Sequence, residues 1–104
     1  MLHPERRRAE EKLIEQAALL NQTQDAILVR SLDHRILFWN LGAERIYGWT
    51  AEEAAGRDVR ELIYRSDRGT FERAERAVLE KGEWAGELHH VAKDGRAIVA
   101  DARW

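Results

Sequence analysis

Apolar residues form two short runs in the first half of the chain, at residues 26–29 and 36–39. Both runs consist largely of β-branched, aliphatic and aromatic residues, which favour extended structure. The residues between them include Asp33, a common turn former. The pattern therefore predicts a β-hairpin.

Helix-boundary signals follow the hairpin directly. Asn40 can accept a hydrogen bond from a free N–H at the start of a helix, and Gly48 can adopt the left-handed conformation that ends one. Thr50 and Glu53 then match a capping box, and Gly56 closes the segment. Two helices of only one or two turns are predicted.

A longer helix is predicted over residues 66–81. Phe71, Ala74 and Val78 recur there at helical spacing, and opposite charges four residues apart occupy the other positions. Such a helix has one apolar face, which can cover a sheet.

A second hairpin is predicted after this helix. An extended stretch begins at residue 82, Asp94 and Gly95 suit left-handed turn positions, and residues 96–104 alternate as in a half-buried strand. Strand parity turns His90 inward and His89 outward, so this adjacent pair is not expected to chelate one metal ion.

In this order, the motifs resemble the PAS domain. The first half of that family reads as a turn, an apolar strand, Asn, a short helix, Gly-aromatic-Ser/Thr, Glu-Glu and Gly. The matching residues are Asp33, Ile36, Asn40, Gly48, Trp49, Thr50, Glu52, Glu53 and Gly56, while His34 stands where the family often has glycine. The long helix and the turn at Lys93, Asp94 and Gly95 extend the resemblance to the second half.

The resemblance implies an α+β fold, with an antiparallel sheet that carries short helices and one longer helix on one face, plus an N-terminal helix. The family has five strands, and the last is expected to be absent from this chain, either because the chain is a fragment or because a partner completes the sheet. Residues 25–104 are expected to form the PAS domain and residues 1–24 a helical connector.

The predicted N-terminal helix begins near Pro4 and carries an apolar stripe. Two compatible interpretations are that it packs on its own sheet and that it forms a dimer, as connectors before PAS domains do. The expected interface residues are Leu13, Ala17 and Leu20 on the helix and Leu28, Leu37 and Trp39, with Val99, on the outer sheet face.

Composition narrows the range of functions. The chain has 104 residues, of which 44% are hydrophobic and 35% charged, which indicates one soluble globular domain. A net charge of −2 gives no electrostatic signal for nucleic-acid binding. Without an apolar run of about 20 residues or a signal-peptide pattern, we expect a cytoplasmic location and no direct membrane contact.

The concave face of the implied sheet is the expected ligand pocket, in which Ala100 leaves room for side chains or a small molecule. A hydrogen-bonded interior role is favoured for His90, although it could bind a ligand or respond to pH. The candidate pocket residues are Ile27, Val29, Phe38, Asn40, Tyr47, Phe71, Val78, Trp84, Leu88, His90, Ile98 and Ala100.

Either no cofactor is expected, or one that the sequence does not identify. The chain has no cysteine, which excludes disulfides, thiolate metal sites and the flavin–cysteine adduct of light-sensing PAS relatives. Haem-binding relatives place a histidine on the long helix, which has none here, and no metal site is expected. Flavin stays an alternative, because Trp84 and the turn at residues 93–95 also occur in redox-sensing flavin PAS domains.

No catalytic residue is predicted. Ser66, His90 and Asp101 could supply a triad, but no Gly-x-Ser-x-Gly elbow positions the serine. A small catalytic α+β domain is thus only a second alternative. The resemblance also suggests an ion pair between Glu53 and Lys93 that couples a short helix to the sheet, with two solvated charges as the favoured alternative.

The implied function is a sensing or dimerisation module of a bacterial-type signalling protein, such as a two-component sensor histidine kinase. It would pass changes induced by a small-molecule ligand or a partner to an output domain outside this chain, and we expect a homodimer. Kinase activity would belong to the parent protein.

Overall fold

A computed structural model describes residues 4–19 and 24–104. The helices are α1 (Pro4–Leu19), α2 (Leu41–Tyr47), α3 (Ala51–Ala54), α4 (Val59–Leu62) and α5 (Arg68–Lys81). The strands are β1 (Leu28–Arg30), β2 (Ile36–Trp39), β3 (Ala85–Val91) and β4 (Ala97–Arg103). They pair as two antiparallel sheets, β1–β2 and β3–β4, and the chain divides into two compact units, residues 1–59 and 60–104.

The first predicted hairpin is present, with its first strand shifted toward the turn. Leu28 pairs with Trp39 and Val29 with Phe38, and the register shifts between Val29 and Arg30. Residues 26 and 27, predicted as strand, lie just before β1.

The turn of this hairpin contains a left-handed residue that is not glycine. His34 has φ 71°, the one positive value at a non-glycine position among the described residues. The Ser31 N–H donates to the Arg35 carbonyl at 2.8 Å, which closes the turn around it. His34 therefore adopts the conformation for which a glycine would be suited.

The other edge of β2 is covered at its start, around Ile36, by residues 56–59, which the sequence pattern did not indicate. The Gly56 N–H donates to the Ile36 carbonyl at 2.9 Å, and the Ile36 N–H donates to the Arg57 carbonyl at 3.0 Å. The segment thus satisfies backbone groups that an open strand edge would expose.

The predicted short helices are both confirmed. The Asn40 side chain caps α2, and Gly48, at φ 81°, ends it. In α3, the Thr50 hydroxyl accepts from the Glu53 N–H at 3.1 Å and the Glu53 carboxylate accepts from the Thr50 N–H at 2.9 Å, which completes the capping box.

A third short helix, α4, was not predicted. It spans one turn, and both Val59 and Leu62 are 1% exposed. One turn is too short for helical periodicity to be recognised, which explains why the pattern did not reveal it.

The long helix starts later and the next strand starts later than predicted. The Asp67 carboxylate accepts from the Thr70 N–H at 3.2 Å, so Asp67 is the N-cap and α5 begins at Arg68 rather than at residue 66. Gly82, predicted to begin the extended stretch, instead ends α5 in a left-handed conformation at φ 84°.

The second hairpin follows the predicted alternation. In β3, Leu88 and His90 are buried while Glu87 and His89 are exposed. In its turn, the Gly95 N–H donates to the Ala92 carbonyl at 2.9 Å. Gly95 alone of the predicted turn pair has a positive φ, 90°, so the expectation of a left-handed Asp94 was wrong.

Candidate functional site

The predicted pocket residues of the first unit differ in burial. Asn40 and Tyr47 are buried, and Ile27, Val29 and Phe38 are half-buried. The two buried residues carry polar groups, whose partners define what they can contribute to a site.

The Asn40 side chain forms hydrogen bonds with three backbone groups. Its Oδ1 accepts hydrogen bonds from the N–H groups of Ile27 and Ala43, both at 2.8 Å, and its Nδ2 donates to the Asp25 carbonyl at 2.9 Å. The residue is only 2% exposed. These bonds give Asn40 a structural task, in line with its predicted capping of α2.

Tyr47 belongs to an aromatic group at the end of α2. Its ring centroid lies 5.4 Å from that of Trp39, whose Nε1–H donates to the Trp49 carbonyl at 2.8 Å. The Arg57 guanidinium carbon lies 5.7 Å from the Trp49 ring centroid. Burial raises the pKa of the Tyr47 phenol, so the hydroxyl stays protonated at neutral pH.

The predicted pocket residues of the second unit line its interior. Phe71, Leu88 and His90 are at most 4% exposed. The half-buried members are Val78, Trp84, Ile98 and Ala100.

Five rings contact one another in series, the ring file, through this second unit. Ring centroids are separated by 5.8 Å between Trp84 and Trp104, 5.3 Å between Trp104 and Phe71, 4.7 Å between Phe71 and Tyr64, and 4.5 Å between Tyr64 and His90. Tyr64 and Trp104 were missing from the predicted site. The alternation of β4 could have indicated Trp104, because it continues the inward parity of Ile98 and Ala100.

His90 is an interior histidine at the end of this ring file. Burial and, to a smaller extent, the neighbouring His89 together lower its pKa to about 4, against an opposing effect of the Asp67 carboxylate. The imidazole is therefore neutral at pH 7. A neutral ring is compatible with its edge-to-face contact with Tyr64, at an interplanar angle of 86°.

Polar groups also lie near the start of α5 and on the exposed face of β3. Hydrogen bonding from Thr70 lowers the pKa of Asp67, which therefore carries a negative charge at neutral pH. His89 Nε2 lies 3.3 Å from Glu87 Oε1 on the solvent side. As predicted, the two adjacent histidines point to opposite faces.

The three residues that the sequence offers for a triad, Ser66, His90 and Asp101, do not converge. Asp101 is exposed and pairs with Glu87, whereas His90 is buried and pairs with Ile98, so strand parity places them on opposite faces of the hairpin. Ser66 is exposed. Within residues 4–19 and 24–104, no group of three or more His, Cys, Asp or Glu side chains is arranged to hold a metal ion.

The predicted interface residues span a range of exposure. On α1, Leu13 is 51% exposed and Ala17 is buried, while Leu20 lies outside the described residues. Helix α1 lies against β1 and β2, as one of the two interpretations predicted. On the strands, Trp39 is buried, Leu28 and Leu37 are half-buried, and Val99 is 61% exposed.

The remaining predicted structural residues lie at turns and caps. Gly56 has φ 76°, and Lys93 lies exposed in the β3–β4 turn. Asp94 accepts hydrogen bonds from the Arg96 backbone and side chain, which lower its pKa. The ion pair between Glu53 and Lys93 stays a prediction.

A groove of about 400 Å³ opens on the surface of the second unit. Its lining residues are Lys81, Glu83, Trp84, Ala85 and Arg103. It shares only Trp84 with the predicted pocket.

Comparison with known proteins identifies the family of this chain. A family model for the PAS fold matches residues 14–104. The chain belongs to the PAS family. The predicted PAS-like α+β fold is thereby confirmed, and with it the assignment to a family of signal-sensing modules that are generally not catalytic.

Solved PAS structures share this fold. A PAS domain of a protein from Colwellia psychrerythraea is 31% identical, with a TM-score of 0.76, over 88% of this chain and 79% of that one. A PAS domain from a two-component sensor histidine kinase is 13% identical, with a TM-score of 0.68, over 91% and 82%.

An RNA-binding light-oxygen-voltage receptor is also similar, at 24% identity and a TM-score of 0.67, over 89% of this chain and 26% of that one. No curated protein matches this chain. Within the part of the chain that the structure describes, no helix is long and apolar enough to cross a membrane.

Proposed function

We propose that this PAS domain is the sensory and dimerisation module of a cytoplasmic two-component sensor histidine kinase of a bacterium. It would pass ligand- or partner-induced changes to an output domain outside this chain. The fold shared with a PAS domain from such a kinase supports this context. The observation that carries the proposal is the apolar surface of α1, where Leu13 and Leu19 are 51% and 83% exposed.

Dimerisation is proposed because α1 is only partly covered by its own domain. Ala17 is buried, whereas Leu13, one turn earlier on the same face, is half exposed, and Leu19, on the other side of the helix, presents its side chain to solvent. Covering such side chains with a second copy removes apolar surface from water. Residues 1–24 would then serve as the connector and residues 25–104 as the sensing domain. On the strands, the half-buried Leu28 and Leu37 and the exposed Val99 would add to the interface, whereas Trp39, which is buried against Tyr47, contributes no open surface to it.

Sensing is proposed to occur at the interior positions predicted from the sequence. In the second unit these include the neutral His90 and the rings that adjoin it, which suit a small, largely apolar ligand with one hydrogen-bonding group. A ligand can bias the output only through different affinities for two states of the domain.

Sedimentation of the purified chain tests the dimer. We expect a dimer for the natural sequence and a monomer for the double substitution Leu13→Glu and Leu19→Glu. Leu79→Glu is the matched control, because Leu79 is 73% exposed on α5 and lies outside the proposed interface. A natural chain that stays monomeric at high concentration, or a control that dissociates equally, would contradict the dimer.

An absorption spectrum of freshly purified protein tests the cofactor alternative. We expect no visible absorption, with mass spectrometry of the intact native protein used to detect a bound small molecule. A flavin spectrum would replace the proposal with the redox-sensing flavin alternative. The kinase context is tested separately, by whether the parent protein carries a phospho-accepting histidine helix.

A further inference from the structure

The segment that leads from α1 into β1 is bound to the start of helix α2. Residues 24–27 lie beside Asn40, the N-cap of α2, and three hydrogen bonds connect them. Asn40 Nδ2 donates to the Asp25 carbonyl at 2.9 Å, the Ile27 N–H donates to Asn40 Oδ1 at 2.8 Å, and the Asn40 N–H donates to the Ile27 carbonyl at 3.1 Å.

Gly42 lets the same segment approach the helix closely. A Cβ at Gly42 would lie 2.1 Å from the Asp25 carbonyl oxygen and 2.9 Å from the Gln24 carbonyl oxygen. Both distances are far below van der Waals contact, and both obstacles are backbone atoms that cannot rotate away. Only glycine permits this approach, although the position is helical and would otherwise favour alanine.

The N-cap side chains of α3 and α5 make local hydrogen bonds instead. The Thr50 hydroxyl bonds to the Glu53 N–H, and the Asp67 carboxylate bonds to the Thr70 N–H, each within its own helix. Asn40 caps α2 in the same way through Ala43, but its remaining side-chain hydrogen bonds go to Asp25 and Ile27, in a distant segment of the chain. The buried Asn40 side chain therefore joins residues 24–27 to helix α2. Capping of α2 alone would not require this connection.

We propose that residues 24–27, Asn40 and Gly42 form a latch that makes the start of β1 and helix α2 move as one body. A displacement of α2 would then move the segment through which the chain leaves α1. An unlatched state needs the hydrogen bonds of Asn40 to residues 24–27 to break together, because one buried side chain holds both ends of the segment. The latch requires no ligand, dimer or output domain, so it can fail independently of the function proposed above.

Gly42→Ala tests the latch by steric displacement, since it leaves Asn40 intact and does not disfavour the helix. Amide hydrogen exchange is measured residue by residue. We expect the Ile27 and Asn40 amides to exchange about tenfold faster or more, as for loss of a buried hydrogen bond, with α5 amides unchanged. Gly69→Ala is the matched control, because a Cβ there would meet only the Arg73 side chain, at 3.4 Å, and it should leave both amides unchanged.

A distance measurement tests whether the latch controls α1. Because the chain lacks cysteine, spin labels can be placed by Lys12→Cys on α1 and Arg45→Cys on α2, both at exposed positions. We expect one narrow distance distribution for the otherwise natural chain and a broadened or shifted one with Gly42→Ala.

A second variant, Asn40→Asp, tests the latch if Gly42→Ala does not fold. Asn40→Asp retains the acceptor oxygen for Ile27 and Ala43 but removes the donor to the Asp25 carbonyl, and it should broaden the distance distribution in the same way. An unchanged distribution together with Ile27 exchange within about twofold of the natural chain would overturn the latch. Faster exchange with an unchanged distribution would also overturn it, because α1 would then be held by its packing on β1 and β2 alone.

Discussion

The two units of the chain are stabilised by different kinds of interaction. In residues 1–59, besides the ring contact between Trp39 and Tyr47, single polar side chains bind specific backbone groups, as Asn40 does at the start of α2. In residues 60–104, rings pack against rings from Trp84 to His90, and these contacts depend on shape more than on direction. The first unit should therefore be sensitive to the loss of individual donors and acceptors, and the second to the loss of volume.

This difference explains where the family resemblance is strongest. A cap or a left-handed glycine needs a particular residue at one place in the chain, so it leaves a readable motif. A ring contact such as that between Phe71 and Trp104 can be made by several apolar residues, so it leaves only periodicity. Most of the motif residues accordingly lie in the first unit.

Truncation of Phe71 should produce the largest loss of stability. It tests whether the second unit is sensitive to the loss of side-chain volume. Phe71 is 1% exposed and contacts both Tyr64 and Trp104, so Phe71→Ala should cost about 3–5 kcal/mol of unfolding free energy in urea titrations. Phe38→Ala, at a half-buried position of the first unit, is the control and should cost clearly less. Equal losses would remove the distinction between the units.

Removal of the Asn40 side chain tests whether the first unit is sensitive to the loss of individual hydrogen-bond donors and acceptors. Asn40→Ala should cost about 2–3 kcal/mol, because it removes a helix cap and leaves buried backbone groups near Asp25 and Ile27 without their partner. Thr50→Ala removes an exposed cap and should cost about 1 kcal/mol. Chemical denaturation of both variants checks the order, and a Thr50 effect as large as that of Asn40 would contradict it.

Acid should destabilise the second unit through His90. The folded pKa, about 4, lies below the ordinary value of 6.5, so the unfolded chain binds more protons between these values and stability is lost as pH falls through that range. Relative to His90→Leu, the natural chain should lose about 2 kcal/mol between pH 7 and pH 5.

Unfolding titrations at several pH values measure this loss. His89→Gln is the control for the exposed neighbour, and it should leave most of the pH dependence in place. If His90→Leu kept the full pH dependence of the natural chain, the interior histidine would not be its source.

The smallest expected effect concerns the two helical glycines, one in each unit. Gly69→Ala should stabilise the protein by about 0.5–1 kcal/mol, because the position is exposed in α5 and alanine is the better helix former. Thermal unfolding would show the gain as a raised midpoint. If Gly42→Ala raised the stability by the same amount, the close approach of Asp25 to α2 would not depend on glycine at position 42.

The candidate site was predicted in part. Inward parity along β3 and β4 correctly identified the buried Leu88 and His90, because a strand alternates its side chains regardless of its neighbours. Tyr64 was missed because it lies in an irregular stretch after α4, where no period applies. Its position beside His90 results from the path of the chain through space.

The amino-acid sequence by itself determined the caps, the glycine turns, the strand parity and hence the PAS family, since each of these is set by a few neighbouring residues. Only the tertiary structure decided the order of the ring file, the covering of the β2 edge by residues 56–59 and the attachment of Asp25 and Ile27 to Asn40. Those features join residues far apart in the chain, and hydrophobic or polar character alone does not specify which distant partner a side chain meets.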